Sequence, residues 1–81
     1  MERTLLAFWD EDRQELEVRR PTGQVFRFPA HQAQAGNHEV FAVETNGVDE
    51  VWVLTGPRGA RHPTRRVRFT PTGIYRGNSA I

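Results

Sequence analysis

The chain reads as a small all-β domain: an antiparallel meander of six to seven short strands closing into a barrel or sandwich. Three observations predict it. Apolar residues alternate with polar ones in short runs, as in Glu15-Leu16-Glu17-Val18-Arg19, which is the period of a half-buried strand. The runs are separated by turn signals, Pro-Thr-Gly at residues 21–23 and again at 71–73 and Asn46-Gly47 between them, at the spacing of a meander. No segment carries the apolar stripe that a packed helix needs.

The strands are expected in this order. Residues 4–9 form the first, ended by the charged run Asp10-Glu11-Asp12-Arg13, which favours a solvated turn. Residues 15–20 form the second, with Leu16 and Val18 on one face. Pro21-Thr22-Gly23 turns the chain, because Pro presets the first turn position and Gly accepts a positive φ. Residues 24–28 follow, with Phe26 and Phe28 on one face and Val25 and Arg27 on the other, and Pro29 ends the ladder. Residues 30–38 read as a loop with room for one helical turn. Residues 39–45 and 48–55 form a hairpin about Asn46-Gly47, whose residues suit a type I′ turn. Gly56 opens a flexible basic connection to residue 64. Residues 65–70 form the sixth strand, and Pro71-Thr72-Gly73 turns it into residues 74–76. Residues 1–76 thus make one small domain and residues 77–81 a frayed C-terminal tail.

At 81 residues the core is thin, so a homo-oligomer or an obligate partner would supplement it. In strand count and size the outline is similar to SH3-like and OB-like domains, with no motif of either. The absence of Cys excludes a disulfide framework, a thiolate zinc site and a Cys nucleophile. Residues 1–13 do not read as a signal peptide, and no run approaches the ~20 apolar residues that span a bilayer. A cytoplasmic location without membrane contact is the expectation.

Charge is split along the chain. Residues 1–56 hold ten acids and five Arg, a balance of −5, and residues 57–81 hold six Arg and no acid, a balance of +6, which together give the net charge of +1. All eleven basic residues are Arg. A GC-rich genome would produce that bias, and so would selection for a planar fork that suits phosphate, carboxylate and aromatic faces.

Catalysis is not expected. The natural bases are His31, His38 and His62, Ser79 is the only Ser, and no nucleophile–base–orienter set is evident. His31, His38 and Glu39 match no standard metal-ligand spacing, so neither a metal nor a cofactor is expected. Gly56-Pro57-Arg58-Gly59 lacks the strand, Lys and helix of a phosphate-binding loop.

The basic C-terminal hairpin is the candidate binding surface. Strand parity sets Arg66 and Arg68 on one face of the sixth strand, opposite Val67 and Phe69. Arg65 begins that strand, Arg58 and Arg61 lie in the preceding loop, and Arg76 stands across the last hairpin. Tyr75 or Trp52 would offer a stacking face. Such a surface suits RNA or single-stranded DNA. The alternative is a protein-interaction module meeting an acidic protein surface, such as an accessory subunit or a phage-encoded inhibitor of a host machine. The continuous runs Phe8-Trp9 and Val51-Trp52-Val53-Leu54 support that alternative, because either both faces of those strands are buried or one Trp is exposed at an interface.

Overall fold

The computed structural model describes residues 4–29 and 38–81. Seven strands run in chain order: β1 (Leu6–Asp10), β2 (Glu15–Arg19), β3 (Val25–Pro29), β4 (His38–Thr45), β5 (Val51–Pro57), β6 (Arg65–Phe69) and β7 (Tyr75–Ala80). They form two antiparallel sheets, β1-β2-β3 and β4-β5-β6-β7. Among the described residues there is no helix, and no ring of pairings closes the two sheets into a barrel. The expected loop at 30–38 lies outside the described residues except for His38, which opens β4.

The core follows from parity. Leu16 and Val18 of β2 meet Val51 and Val53 of β5 and Val67 and Phe69 of β6, with Leu5 beside them, all fully buried. Side chains alternate across a strand, so burying these residues commits Trp52, Leu54, Arg66 and Arg68 to the opposite, outer face. Each fully buried Val, Leu or Phe contributes about 1.5–3 kcal/mol, and seven such side chains make a core with little redundancy. Phe28 of β3 reaches the other sheet, its ring centroid 5.5 Å from that of Phe69. On the opposite side the Leu5 amide donates to Gly47 O at 3.0 Å, joining the start of the chain to the end of β4.

Both Pro-Thr-Gly segments turn as expected. The Gly23 amide donates to Arg20 O at 2.9 Å, and the Gly73 amide to Thr70 O at 3.0 Å. Both glycines sit at positive φ, +92° and +95°, which is where a three-residue hairpin loop needs a residue free of a Cβ.

Three expectations are corrected. Asn46-Gly47 is no two-residue turn. Only Gly47 of the pair has a positive φ, and Asn46 Oδ1 instead accepts from the amides of Val48, Asp49 and Glu50 at 2.9, 3.0 and 3.1 Å. That side chain organises a longer loop, so β5 begins at Val51. Gly56 and Pro57 end β5 opposite Glu39 and His38 and do not open a loop. Gly56 is buried, with Phe41 and the backbone of His62 and Pro63 packed over it. Finally, residues 77–80 are no frayed tail. They pair with Arg65–Arg68 as the body of β7, and the Ile81 amide donates to Thr64 O at 3.0 Å.

Candidate functional site

The outer face of the four-stranded sheet gathers the basic residues around a tryptophan. The register aligns Glu44, Trp52, Arg68 and Gly77 in one row, and Ala42, Leu54, Arg66 and Ser79 in the next. Arg66, diagonal to Trp52, lays its guanidinium over the indole with Cζ 5.0 Å from the ring centroid. Gly77 and Ser79 present almost no bulk on β7. The space they leave is an open recess of about 240 Å³ walled by Trp52, Arg66, Arg68 and residues 76–79 of β7, Asn78 included.

Two carboxylates stand near these cations. Arg66 Nη2 lies 3.8 Å from Glu44 Oε1, and Arg68 Nη1 lies 3.8 Å from Glu50 Oε1. Both separations exceed hydrogen-bond length, and both Arg side chains are 47% exposed. Exposed pairs of this kind are worth about 0–1 kcal/mol, so the carboxylates leave the guanidinium donors available to another anion, apart from Arg68 Nη2, which donates to Arg76 O at 3.4 Å. Among the described residues Arg76 forms no ion pair.

The other sequence-predicted residues do not join this recess. The register shifts between Arg68 and Phe69, with Arg76 as the extra residue. Tyr75, before the bulge, pairs with Phe69 just beyond the Pro71-Thr72-Gly73 turn and so shares the inner side. There its ring meets Phe69 edge-on, centroids 6.1 Å apart, and its hydroxyl accepts from Asn78 Nδ2. Tyr75 and Trp52 therefore face opposite ways. Arg65 also follows the inner parity and donates from Nη1 to Asn78 Oδ1 at 2.8 Å. Arg58, in the loop after β5, lines a second recess of about 290 Å³ whose walls include Trp9, Glu11, His38 and Glu39. Arg61 is exposed in the same loop and borders neither recess.

His38 Nδ1 is buried with no hydrogen-bond partner among the described residues. His31, its sequence companion in the metal-ligand test, lies outside them. Among the described residues no three His, Asp or Glu side chains cluster in a way that would hold a metal, and no helix is long and apolar enough to cross a membrane.

The two tryptophans have separate roles. Trp9 faces the core side, packed against the buried cluster, with Nε1 donating to Glu11 Oε2 at 2.8 Å. Trp52 is half-buried on the outer face. The outer face of the three-stranded sheet repeats the aromatic–arginine contact, with Arg19 Cζ 5.0 Å from the Phe8 centroid. There, however, the cations are engaged. Arg19 Nε donates to Glu17 Oε2 at 2.7 Å, and Arg27 Nε to Glu17 Oε1 at 3.0 Å. The hydrogen bond from Arg19 holds the Glu17 carboxyl below its ordinary range; partial burial opposes the shift, and Arg27 reinforces it. Leu6, Phe8 and Val25 are exposed around this network.

Sequence reasoning missed Gly77, Ser79 and Glu44 as parts of the candidate face. Glu44 was not legible, because a two-residue turn at Asn46-Gly47 would set it opposite Asp49; the longer loop brings it opposite Trp52. Gly77 and Ser79 carried no signal, because their contribution is the bulk they lack. No protein-family model, curated protein or solved structure matches the chain.

Proposed function

We propose that the protein is a binding module without catalytic activity or bound cofactor, and that the outer face of β4-β5-β6-β7 takes single-stranded nucleic acid. We read the two sheets as an open sandwich, an architecture that leaves both outer faces available. The observation that carries the proposal is the convergence of a half-buried tryptophan and three arginines on one recess: Arg66 Cζ stands over the Trp52 ring, with Arg68 and Arg76 beside it.

An unstacked base has a π-face that lies on an indole or a guanidinium plane, worth about 1–3 kcal/mol per base. The neighbouring cations neutralise the phosphates that flank it. Bases inside a duplex are already stacked and cannot use such a platform, so the favoured ligand is a single strand of RNA or DNA. The recess falls below the ~300–1,000 Å³ of small-molecule pockets and is open, which suits one unit of an extended polymer. Trp52 is assigned stacking, and Arg66, Arg68 and Arg76 are assigned phosphate contact. Arg58, Arg61 and Arg65 add to the positive field around the hairpin.

The test is a fluorescence titration in a Trp9→Phe variant, where Trp52 is the only indole. Adding single-stranded oligonucleotide at low salt quenches and shifts its emission, and a duplex of the same length does so less. Emission unchanged by either RNA or DNA single strands rules the proposal out.

A second reading is a protein-docking module. It is favoured by Leu6, Phe8 and Val25, exposed on the outer face of the other sheet. A protein complex that survives changing Trp52 to Ala and is lost on changing Phe8 to Ala supports that reading.

A further inference from the structure

Among the described residues the outer edge of β7 is open: the strand pairs with β6 alone. Of the other edge strands, β3 finishes in Pro29, and β1 packs against β4, with the Leu5 amide donating to Gly47 O just beyond β4. By contrast β7 contains no Pro and no acid, and its exposed residues include Asn78, Ser79 and Ala80. An unpaired edge of this kind is a template for another extended backbone.

The ladder phase identifies the free groups. The Ile81 amide donates to Thr64 O and the Thr70 amide to Ile74 O, just beyond the two ends of β6, while the Thr64 amide turns to Thr55 O; the Ile81 amide therefore points to the β6 side and sets the phase of β7. Antiparallel alternation then turns the backbone groups of Gly77 and Ser79 toward β6. It leaves the N–H and C=O of Asn78 and Ala80 on the open edge.

We infer that this edge pairs with a second copy of the chain, β7 against β7, antiparallel about a two-fold axis at Ser79. In this register Asn78 of each copy opposes Ala80 of the other, so all the free donors and acceptors at these positions are used. The strand is its own complement. Gly77, Ser79 and Ala80 allow close approach, and Ile81, 67% exposed, lies over Gly77 of the second copy. Arg76 of the two copies stands at opposite ends of the pairing, about 20 Å apart at ~3.3 Å per residue, so like charges do not meet.

The pairing fuses two four-stranded sheets into one. An axis normal to the sheet keeps both Trp52 faces on the same side, about 24 Å apart across five strand spacings of ~4.8 Å. The pairing does not rest on what the Trp52 face binds, although Ile81 of the second copy borders the recess on that face beside Gly77. One strand edge buries far less than the ~800 Å² per partner of a standard interface, so the dimer is weak and concentration-dependent.

Sedimentation equilibrium and amide hydrogen exchange across a concentration series up to millimolar test this. The mass rises from one chain toward two, and the amides of Asn78 and Ala80 gain protection in step. Ala80→Pro removes an edge-facing N–H and leaves the β6 ladder in place; Gly77, Ser79 and Ile81 amides stay protected while self-association is lost. A constant monomer mass with unchanged Asn78 and Ala80 exchange overturns the inference. So does a folded Ala80→Pro variant that associates as the wild type does, or concentration-dependent protection confined to β1 or β3.

Discussion

The two Pro-Thr-Gly turns provide an internal control for the packing of the sheets. Gly23 and Gly73 occupy the same turn position at nearly the same φ, +92° and +95°. A Cβ on Gly23 meets nothing within 4 Å, whereas one on Gly73 would lie 2.9 Å from both Cγ and Cδ1 of Phe28. Changing either to Ala forces an L-residue into the left-handed region, at about 1–2 kcal/mol. The loss of unfolded-chain freedom returns about 0.4–1 kcal/mol of that. Gly23→Ala therefore costs about 1 kcal/mol. Gly73→Ala adds the displacement of a ring held against Phe69, an overpacking term of about 1–3 kcal/mol. A difference of about 2 kcal/mol between the two variants corresponds to a separation of about 8–16 °C in Tm for a domain of this size. Urea unfolding measures it, with the midpoint moving and the slope unchanged. Equal costs for the two variants would refute the contact between β3 and the β6–β7 turn.

Two further outcomes concern buried or partnered polar groups. Thr55 is fully buried and its hydroxyl has no hydrogen-bond partner among the described residues; Thr55→Val removes that polar group at nearly constant shape and stabilises the fold by about 1 kcal/mol, read as a higher urea midpoint. The Glu17 carboxyl is held below its ordinary value of 4.5 by Arg19, with Arg27 reinforcing, so its contribution to stability is complete above that value and is lost as pH falls through the folded-state pKa. Glu17→Gln therefore flattens the acid limb of the stability–pH curve below about pH 4.5, and parallel limbs for variant and wild type contradict the assignment.

The parts of the fold written in side-chain alternation were legible. Leu16 and Val18, and Val67 and Phe69, fall inside as their period of two requires, and the same parity set Arg66 and Arg68 outward. The Pro-Thr-Gly turns were legible because φ at Pro and at Gly is a local property. What escaped depends on bonds with no residue signature. The body of β7 is held by backbone pairing to β6, and Gly-Asn-Ser-Ala shows no apolar alternation to announce it. The bulge at Arg76 inverts the parity of the residues after it, bringing Gly77 and Ser79 in line with Arg68 and Arg66 while Tyr75 stays opposite Phe69. The loop after β4 is set by one Asn46 oxygen accepting three amides, a choice that competes with the two-residue turn the same dipeptide favours. The division of strands between two sheets is non-local, and no short window of sequence encodes it.

On the proposed reading the outer β4-β5-β6-β7 face meets phosphates through Arg66, Arg68 and Arg76. The salt dependence of single-strand binding, followed through Trp52 emission, tests it most directly. With three phosphate contacts, log K falls against log salt with a slope of about −2, and each Arg→Ala change makes the slope shallower by about 0.7. Trp52→Ala, followed by the anisotropy of a labelled oligonucleotide instead, lowers affinity and leaves the slope in place, because stacking releases no counterions. A slope near zero, or one unchanged by removing Arg66, Arg68 and Arg76, would contradict the account.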